Sequence, residues 1–404
     1  MTEKEKKLSV GVLRESFPGE KRVALIPIGA ETLVKAGFRV LLEGGAGLKA
    51  GFPDREYEKR GVEILPNRES VCSQADILLA VRAAGANPDG WPHEVKDLRE
   101  GQILIGFLEP LTARQPIEEL ANRGVTAFAV ELVPRITRAQ SMDALSSMAT
   151  VAGYRAVLLA ANFLPKMFPM LTTAAGTITP SRVLVIGAGV AGLQAIATAR
   201  RLGAVVSGYD IRPAAREQVE SLGAKFVVLG LETDEAEAEG GYARAMGEDF
   251  YRRQRELLGK VAAENDVVIC TAAVPGKKAP LLITAESVRA MRPGSVIVDL
   301  AAERGGNCEL TQPGRVVVEK GVTILGPVNL PSDIPYHASQ MYSKNLCQFI
   351  LHLVKNGKPD LDSEDRILKE TLVTHRGKIV NPRVRKALGI TEEGKDSASR
   401  GGHD

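Results

Sequence analysis

Short apolar runs alternate along this chain with stretches of helical spacing, and the alternation occurs twice. Residues 8–13 form an apolar run closed by Arg14 and Glu15, with apolar residues 23–26 just beyond. Helical spacing over 28–36 stops at Gly37, and 38–42 reads as a strand. The pattern repeats with a helix over 54–59, extended segments at 62–65 and 75–81, and a strand at 102–108. A helix around 117–122 and a strand at 125–130 complete the first series. Alternation of this kind predicts a parallel sheet with helices on both faces.

A long segment rich in Ala, Leu and Met, from 143 to about 168, predicts a helix joining two domains. After Pro180 the alternation resumes. Strands are expected at 182–186, 205–209, 225–228, 267–271 and 295–299, and helices at 191–201, 214–222, 250–263 and 285–291. Residues 316–318 and 323–325 read as edge strands, and 336–355 as a last helix packing back on the first domain. The expected fold is α/β, with two Rossmann-like domains linked by long helices and a cleft between them. The first domain takes 1–142 plus about 335–385, and 143–334 supplies the linking helix and the second domain. Residues 386–404 have almost nothing to bury and predict a flexible tail.

Composition narrows the function. The chain has 404 residues and a net charge of +3, with 4% aromatics and no long basic block. Nucleic acid, which needs a positive stripe or stacking rings, is a poor fit. Cys72, Cys270, Cys308 and Cys347 are widely spaced, without a C-x-x-C pair or a nearby His, so no metal site is expected. Reduced, buried thiols in a cytoplasmic protein fit better. The N-terminal residues are charged rather than apolar, and no run approaches 18 uninterrupted apolar residues, so no membrane span is expected.

The sharpest motif is Gly187-Ala188-Gly189-Val190-Ala191-Gly192, directly after the apolar strand and opening a helix. A lone G-x-G-x-x-G is weak, because any tight strand-to-helix turn favours glycine. Here strand, helix and acidic residue all fall where a dinucleotide needs them. Gly187 permits the turn, Gly189 lets the backbone approach a pyrophosphate, and Gly192 lets helix and strand pack closely. The helix N-terminus then offers N–H donors to the phosphates. Asp210 ends the next strand, 18 residues after Gly192, where its carboxylate can accept from ribose hydroxyls and repel a 2′-phosphate. NAD(H) is therefore favoured over NADP(H), although Arg212 leaves a 2′-phosphate open.

A second constellation, Arg135-Ile136-Thr137-Arg138-Ala139-Gln140-Ser141-Met142-Asp143 with Ser146, joins the first domain to the linking helix. Capping by Ser141 and Asp143 with solvated arginines would account for it in isolation. At the mouth of a cleft, Arg, Gln and Asp are also the groups that fix a carboxamide and a ribose.

These residues closely resemble domain I of proton-translocating nicotinamide nucleotide transhydrogenase, the NAD(H)-binding component. The likeness runs from Arg14-Glu15 and Lys21-Arg22-Val23-Ala24 through RAQSMDALSS, the glycine motif, Asp210-Ile211-Arg212 and VDLAAERGGNCE to about Lys355. The resemblance implies that Arg135, Gln140, Asp143 and Ser146 serve the nicotinamide side as the catalytic positions, within a cofactor-binding run from Arg135 to Ser146. It implies that the glycine turn with Val190 and Ala191 takes the pyrophosphate, and that Asp210, Ile211 and Arg212 take the adenosine ribose. It also implies a loop carrying Gly241 and Tyr242 over the nucleotide, with Gln254 following. Ala273 stands where the family commonly has a larger aliphatic residue on the adenine side. A homodimer is implied, exchanging hydride with NADP(H) on domain III of a partner subunit. A separate membrane-domain subunit would then hold the chain, peripherally, at the cytoplasmic face of the inner membrane.

Two alternatives stand beside this reading. Alanine dehydrogenase shares the fold, but the resemblance places a lysine and a histidine in its first domain, where this chain has Arg82 and Phe107 to Glu109. Amino-acid oxidation needs a group that moves a proton at the reacting carbon. Hydride passing directly between two nicotinamide rings does not. The other alternative is a non-catalytic NAD(H) sensor, against which stand Gln140 and Asp143.

Overall fold

The computed structural model describes residues 7–231, 237–238, 242–243, 247–274, 276–361 and 364–390. It divides into two compact units, one built from residues up to Ala144 and from Ser343 onward, the other from Leu145–Tyr342.

The first unit holds an eight-stranded sheet. From one edge to the other the strands are Lys378–Ile379, Leu372–His375, Thr126–Ala129, Ile103–Phe107, Ile77–Arg82, Ser9–Val12, Arg39–Glu43 and Glu63–Leu65. Six of them run parallel, and their near-continuous burial reflects cover on both faces. Leu372–His375 adds antiparallel to Thr126–Ala129 and Lys378–Ile379 antiparallel to Leu372–His375, an extension the apolar pattern does not reveal. Helix Pro382–Ala387, capped by the Asn381 side chain, includes Lys386 and Ala387, where the tail is expected to begin. Helix Pro335–Leu353 crosses from the second unit to the first.

The second unit holds a seven-stranded sheet in the order Lys225–Phe226, Val205–Tyr209, Arg182–Ile186, Val267–Cys270, Val296–Asp299, Val322–Leu325 and Val316–Glu319. Val316–Glu319 is an antiparallel edge strand. Val322–Leu325, expected as a second edge, instead pairs with Val296–Asp299 and is buried at three of its four positions. The linking helix is Ala144–Phe163 and stops five residues short of the expected end. Pro165 explains this, because the residue before proline is pushed out of the α region. That helix is apolar and long enough to cross a membrane on length and composition alone, yet Ala156, Val157 and Ala160 lie in the second unit's core beside Val183 and Ala195.

Both sheets share one topological feature. The chain reverses its direction of strand addition beside Ser9–Val12 in the first unit and beside Arg182–Ile186 in the second. In open α/β sheets the crevice at the C-terminal end of such a reversal is where ligands bind.

Candidate nucleotide site

At the second unit's reversal, strand Arg182–Ile186 ends in the glycine turn and helix Val190–Arg201 begins at Gly189. Gly187 has φ of 96°, and its N–H donates to the Tyr209 carbonyl at 2.7 Å. Only glycine adopts that conformation without strain. Gly192 is required for a different reason, since a Cβ there would sit 1.8 Å from the Gly187 carbonyl oxygen. At Gly189 a Cβ would meet nothing within 4 Å among the described residues. The protein therefore leaves open the space in front of the helix N-terminus, where an anion is favoured. These residues fit a dinucleotide pyrophosphate.

Asp210, with its side chain 7% exposed, ends the neighbouring strand and gathers four donors. Its Oδ2 accepts from the Ala188 N–H at 2.7 Å and Arg212 Nη2 at 2.8 Å, and its Oδ1 accepts from the Arg212 N–H and Nε, both at 2.9 Å. The carboxylate thus ties the glycine turn to the next strand before any ribose arrives. Tyr209, Asp210, Ile211, Pro213, Arg216 and residues 226–231 line a cavity of about 230 Å³. Pro213, Arg216 and residues 226–231 escaped sequence reasoning, since nothing in their pattern distinguishes a pocket wall from a loop.

Gln254, 2% exposed, sits beside Tyr209. Its Nε2 donates to the Tyr209 hydroxyl at 2.7 Å, while its Oε1 is buried without a partner among the described residues. Burial pushes the Tyr209 hydroxyl up to about 12, so it stays protonated near neutrality. Ala273 is exposed in the loop after strand Val267–Cys270. That loop is clamped by the buried Asn307, which accepts from the Ala272 N–H at 3.1 Å and donates to the Ala272 and Pro280 carbonyls at 2.8 and 2.9 Å. Asn307 is held in turn by Asp299, whose carboxylate accepts from the Asn307 and Cys308 N–H groups. The run Gly305-Gly306-Asn307-Cys308-Glu309 was the one signal of this clamp in the sequence. Tyr242 lies in a two-residue strand, Tyr242–Ala243, paired with Glu237–Ala238, whereas Gly241 falls outside the described residues.

In the first unit, Thr137–Met142 is a 3₁₀ turn pinned by buried Ala139 and Met142. Burying those two residues leaves Thr137, Arg138, Gln140 and Ser141 exposed, alongside exposed Arg135 and half-buried Ile136 and Asp143. Ser146 is half-buried on the first turns of helix Ala144–Phe163. Arg138 Nη1 donates to Asp365 at 2.6 Å. Among the described residues no group of three or more His, Cys, Asp or Glu is placed to hold a metal ion.

The reversal in the first sheet is occupied by the chain's own side chains. Glu15 accepts from the Val81 and Arg82 N–H groups at 2.6 and 3.0 Å. Arg82 donates through Nε to the Ala86 carbonyl at 2.8 Å and stacks over Phe17, its Cζ 3.8 Å from the ring centre. Glu94 accepts from Ser16 and from Asn87 Nδ2, and Arg22 forms a buried ion pair with Glu20 at 2.6 Å. A cavity of about 10 Å³ remains among Arg14, Glu15, Arg82 and Glu94, room for about one water.

Fold and site together define a two-unit α/β protein with one nucleotide-binding Rossmann crevice. The chain belongs to the alanine dehydrogenase/PNT family, whose N-terminal domain model matches residues 11–152 and whose C-terminal domain model matches residues 156–382. It is 47% identical over 378 residues to the first of the chains that make up the alpha subunit of the NAD(P) transhydrogenase of Rhodospirillum rubrum, covering 93% of this chain and 98% of that one. The solved transhydrogenase of Sinorhizobium meliloti superposes with a TM-score of 0.80 at 42% identity, covering 93% of this chain and 99% of that one. A solved L-alanine dehydrogenase superposes with a TM-score of 0.79 at 28% identity, covering 95% and 99%.

Proposed function

We propose that this chain is the NAD(H)-binding subunit of a proton-translocating NAD(P) transhydrogenase. On this reading NAD(H) lies along the Gly187–Gly192 turn and Asp210, and its nicotinamide end is oriented by Arg135, Gln140, Asp143 and Ser146. The bound nicotinamides supply the hydride chemistry. When bound, they would exchange a hydride directly between their C4 carbons, the C–H bond broken on the donor ring being re-formed on the acceptor. One nucleotide is oxidised and the other reduced, and no proton moves at either carbon. The chain's own residues need only bind, orient and exclude water.

Domain III of a partner subunit would hold NADP(H), and a membrane-domain subunit would couple the exchange to proton movement. The chain would act as a homodimer, peripheral to the inner membrane through those partners. Its two units are proposed as the two domains of that component, the first discontinuous.

One observation favours this over alanine dehydrogenase chemistry. Arg82 stands where the resemblance places the lysine of alanine dehydrogenase, and it is tied to the Ala86 carbonyl at 2.8 Å and stacked over Phe17. The test mixes the chain with an NADP(H)-binding domain III and follows reduction of an NAD analogue by NADPH. Partner-dependent reduction is expected, and its absence overturns the proposal.

A further inference from the structure

The turn that carries Gln140 is held from outside its own sequence. Arg138 Nη1 lies 2.6 Å from Asp365 Oδ2, 227 residues away, and His352 Nε2 lies 3.0 Å from Oδ1 of the same carboxylate. Asp365 also caps helix Arg366–Thr371, accepting from the N–H groups of Ile367 at 2.8 Å and Leu368 at 3.3 Å. Seven residues before His352, and so on the same face of helix Pro335–Leu353, Asn345 Nδ2 donates 2.8 Å to the Ser141 carbonyl. The turn is therefore pinned at Arg138 and at Ser141, on either side of Gln140. All of these residues belong to the first unit.

An isolated ion pair with one partner 53% exposed, as Arg138 is, holds little. Asp365 differs, being 16% exposed and fixed by three donors besides Arg138. Burial alone would raise its carboxyl, yet Arg138, His352 and the two backbone N–H groups hold it below the usual carboxylate range. A fixed anion with a short charge-assisted bond is a firm anchor for a guanidinium. The same geometry gives Arg138 work other than touching the cofactor.

We propose that Asp365 is a positioning residue for hydride transfer, acting through Arg138 on the turn that presents Gln140 and Asp143. The proposal rests on the transhydrogenase reading. It places the C-terminal segment, which carries none of the nucleotide motifs, in control of rate rather than affinity.

The test is Asp365→Asn in the full chain. Asparagine caps a helix as well as aspartate does, so helix Arg366–Thr371 keeps its cap while the anchor loses its charge. With domain III added, the single-turnover hydride rate at saturating NADH should fall ~10-fold or more, while NADH affinity stays within ~2-fold, the mark of an orienting contact. Arg138→Gln should reproduce both results, and the double variant should be no slower than either single one. A wild-type rate in Asp365→Asn overturns the proposal. So does an Arg138→Gln protein with ~10-fold weaker NADH binding, which would return Arg138 to the cofactor. Amide exchange gives a readout free of any partner: protection across 137–143 should drop in Asp365→Asn. If the unmodified chain transferred no hydride, the transhydrogenase reading would fail, and unchanged protection would separately overturn the positioning role.

Discussion

Arg212 donates from its guanidinium to both carboxylate oxygens of Asp210, at 2.9 Å to Oδ1 and 2.8 Å to Oδ2. The residue that can hold a 2′-phosphate is thus committed to the residue that repels one. Ribose hydroxyls entering the site compete with this pair for Asp210. A 2′-phosphate must both break it and sit beside the carboxylate.

Replacing Asp210→Asn should therefore relax the preference for NADH over NADPH. NADH loses a charged acceptor, and Arg212 is released to meet the extra phosphate. Hydrogen bonds to charged groups contribute about 1.5–3 kcal/mol, so a shift of ~10-fold or more in the ratio of the two dissociation constants is expected. Fluorescence titration of both cofactors measures it. Equal affinity of the unmodified chain for both would contradict the role given to Asp210.

Two glycines of one turn should behave oppositely. A Cβ at Gly192 collides with the Gly187 carbonyl, so Gly192→Ala should lower the melting temperature of the second unit. A Cβ at Gly189 meets nothing within 4 Å among the described residues and φ there is −78°, so Gly189→Ala costs stability only through a poorer N-cap, at most about 1 kcal/mol. Its methyl group would fill the space proposed for the pyrophosphate, and NADH binding should fall by ~10-fold or more. Calorimetry and titration on the two variants separate the effects. Normal NADH affinity in Gly189→Ala would move the phosphate elsewhere.

Much of this site was legible in the sequence because it is local. Strands Arg182–Ile186 and Val205–Tyr209 fall on the expected residues, since each is a run of apolar residues bounded by turn signals. The glycine turn and Asp210 follow from spacing along adjacent elements. Strands Leu372–His375 and Lys378–Ile379 escaped because they are short, the first joining the sheet only through a strand distant in sequence and the second only through the first. Helix Arg68–Gln74 escaped because five of its seven residues are polar or charged and only Val71 and Cys72 are buried. Arg138 with Asp365, and Asn307 with Ala272, are tertiary pairings that no period in the chain encodes.

Two buried carboxyls set a pH dependence for the first unit. Burial, with Glu20 nearby, pushes Glu15 up from 4.5 to about 8, and burial, with Glu109 nearby, does the same for Glu131. Between those values the folded chain binds more protons than the unfolded chain. Stability is then fully present below about 4.5 and is lost as pH rises towards about 8. Glu131→Gln keeps an acceptor for the Leu108 and Glu109 N–H groups and removes one titration. The fall in the urea midpoint between pH 5 and pH 9 should be shallower in that variant. An identical fall would mean Glu131 does not carry it.

The chain alone should show no alanine dehydrogenase activity. Arg82 is bound to the Ala86 carbonyl and stacked on Phe17, and Glu109, at φ of 48°, donates its backbone N–H to the Glu131 carboxylate at 2.7 Å. Neither supplies the lysine or the histidine that amino-acid oxidation needs to bind the carboxylate and move the proton. NADH oxidation dependent on pyruvate and ammonia would overturn this.

Gln140 should matter more for hydride transfer than for holding NAD(H). The Thr137–Met142 turn buries Ala139 and Met142 and leaves the Gln140 amide exposed, with a donor and an acceptor on one short arm. Such a group can hold a nicotinamide and its ribose in the pose that meets a second nicotinamide. Affinity should come mainly from the glycine turn and Asp210 at the far end of the cofactor. Removing an orienting contact lowers turnover with little change in dissociation, and a misplacement of about 1 Å can cost ~100-fold in rate. Gln140→Asn keeps the amide and shortens its reach. Assayed with domain III, it should bind NADH almost as tightly as the unmodified chain and transfer hydride far more slowly in a single turnover. Collapse of binding with normal transfer would make Gln140 an anchor and reverse this division of labour.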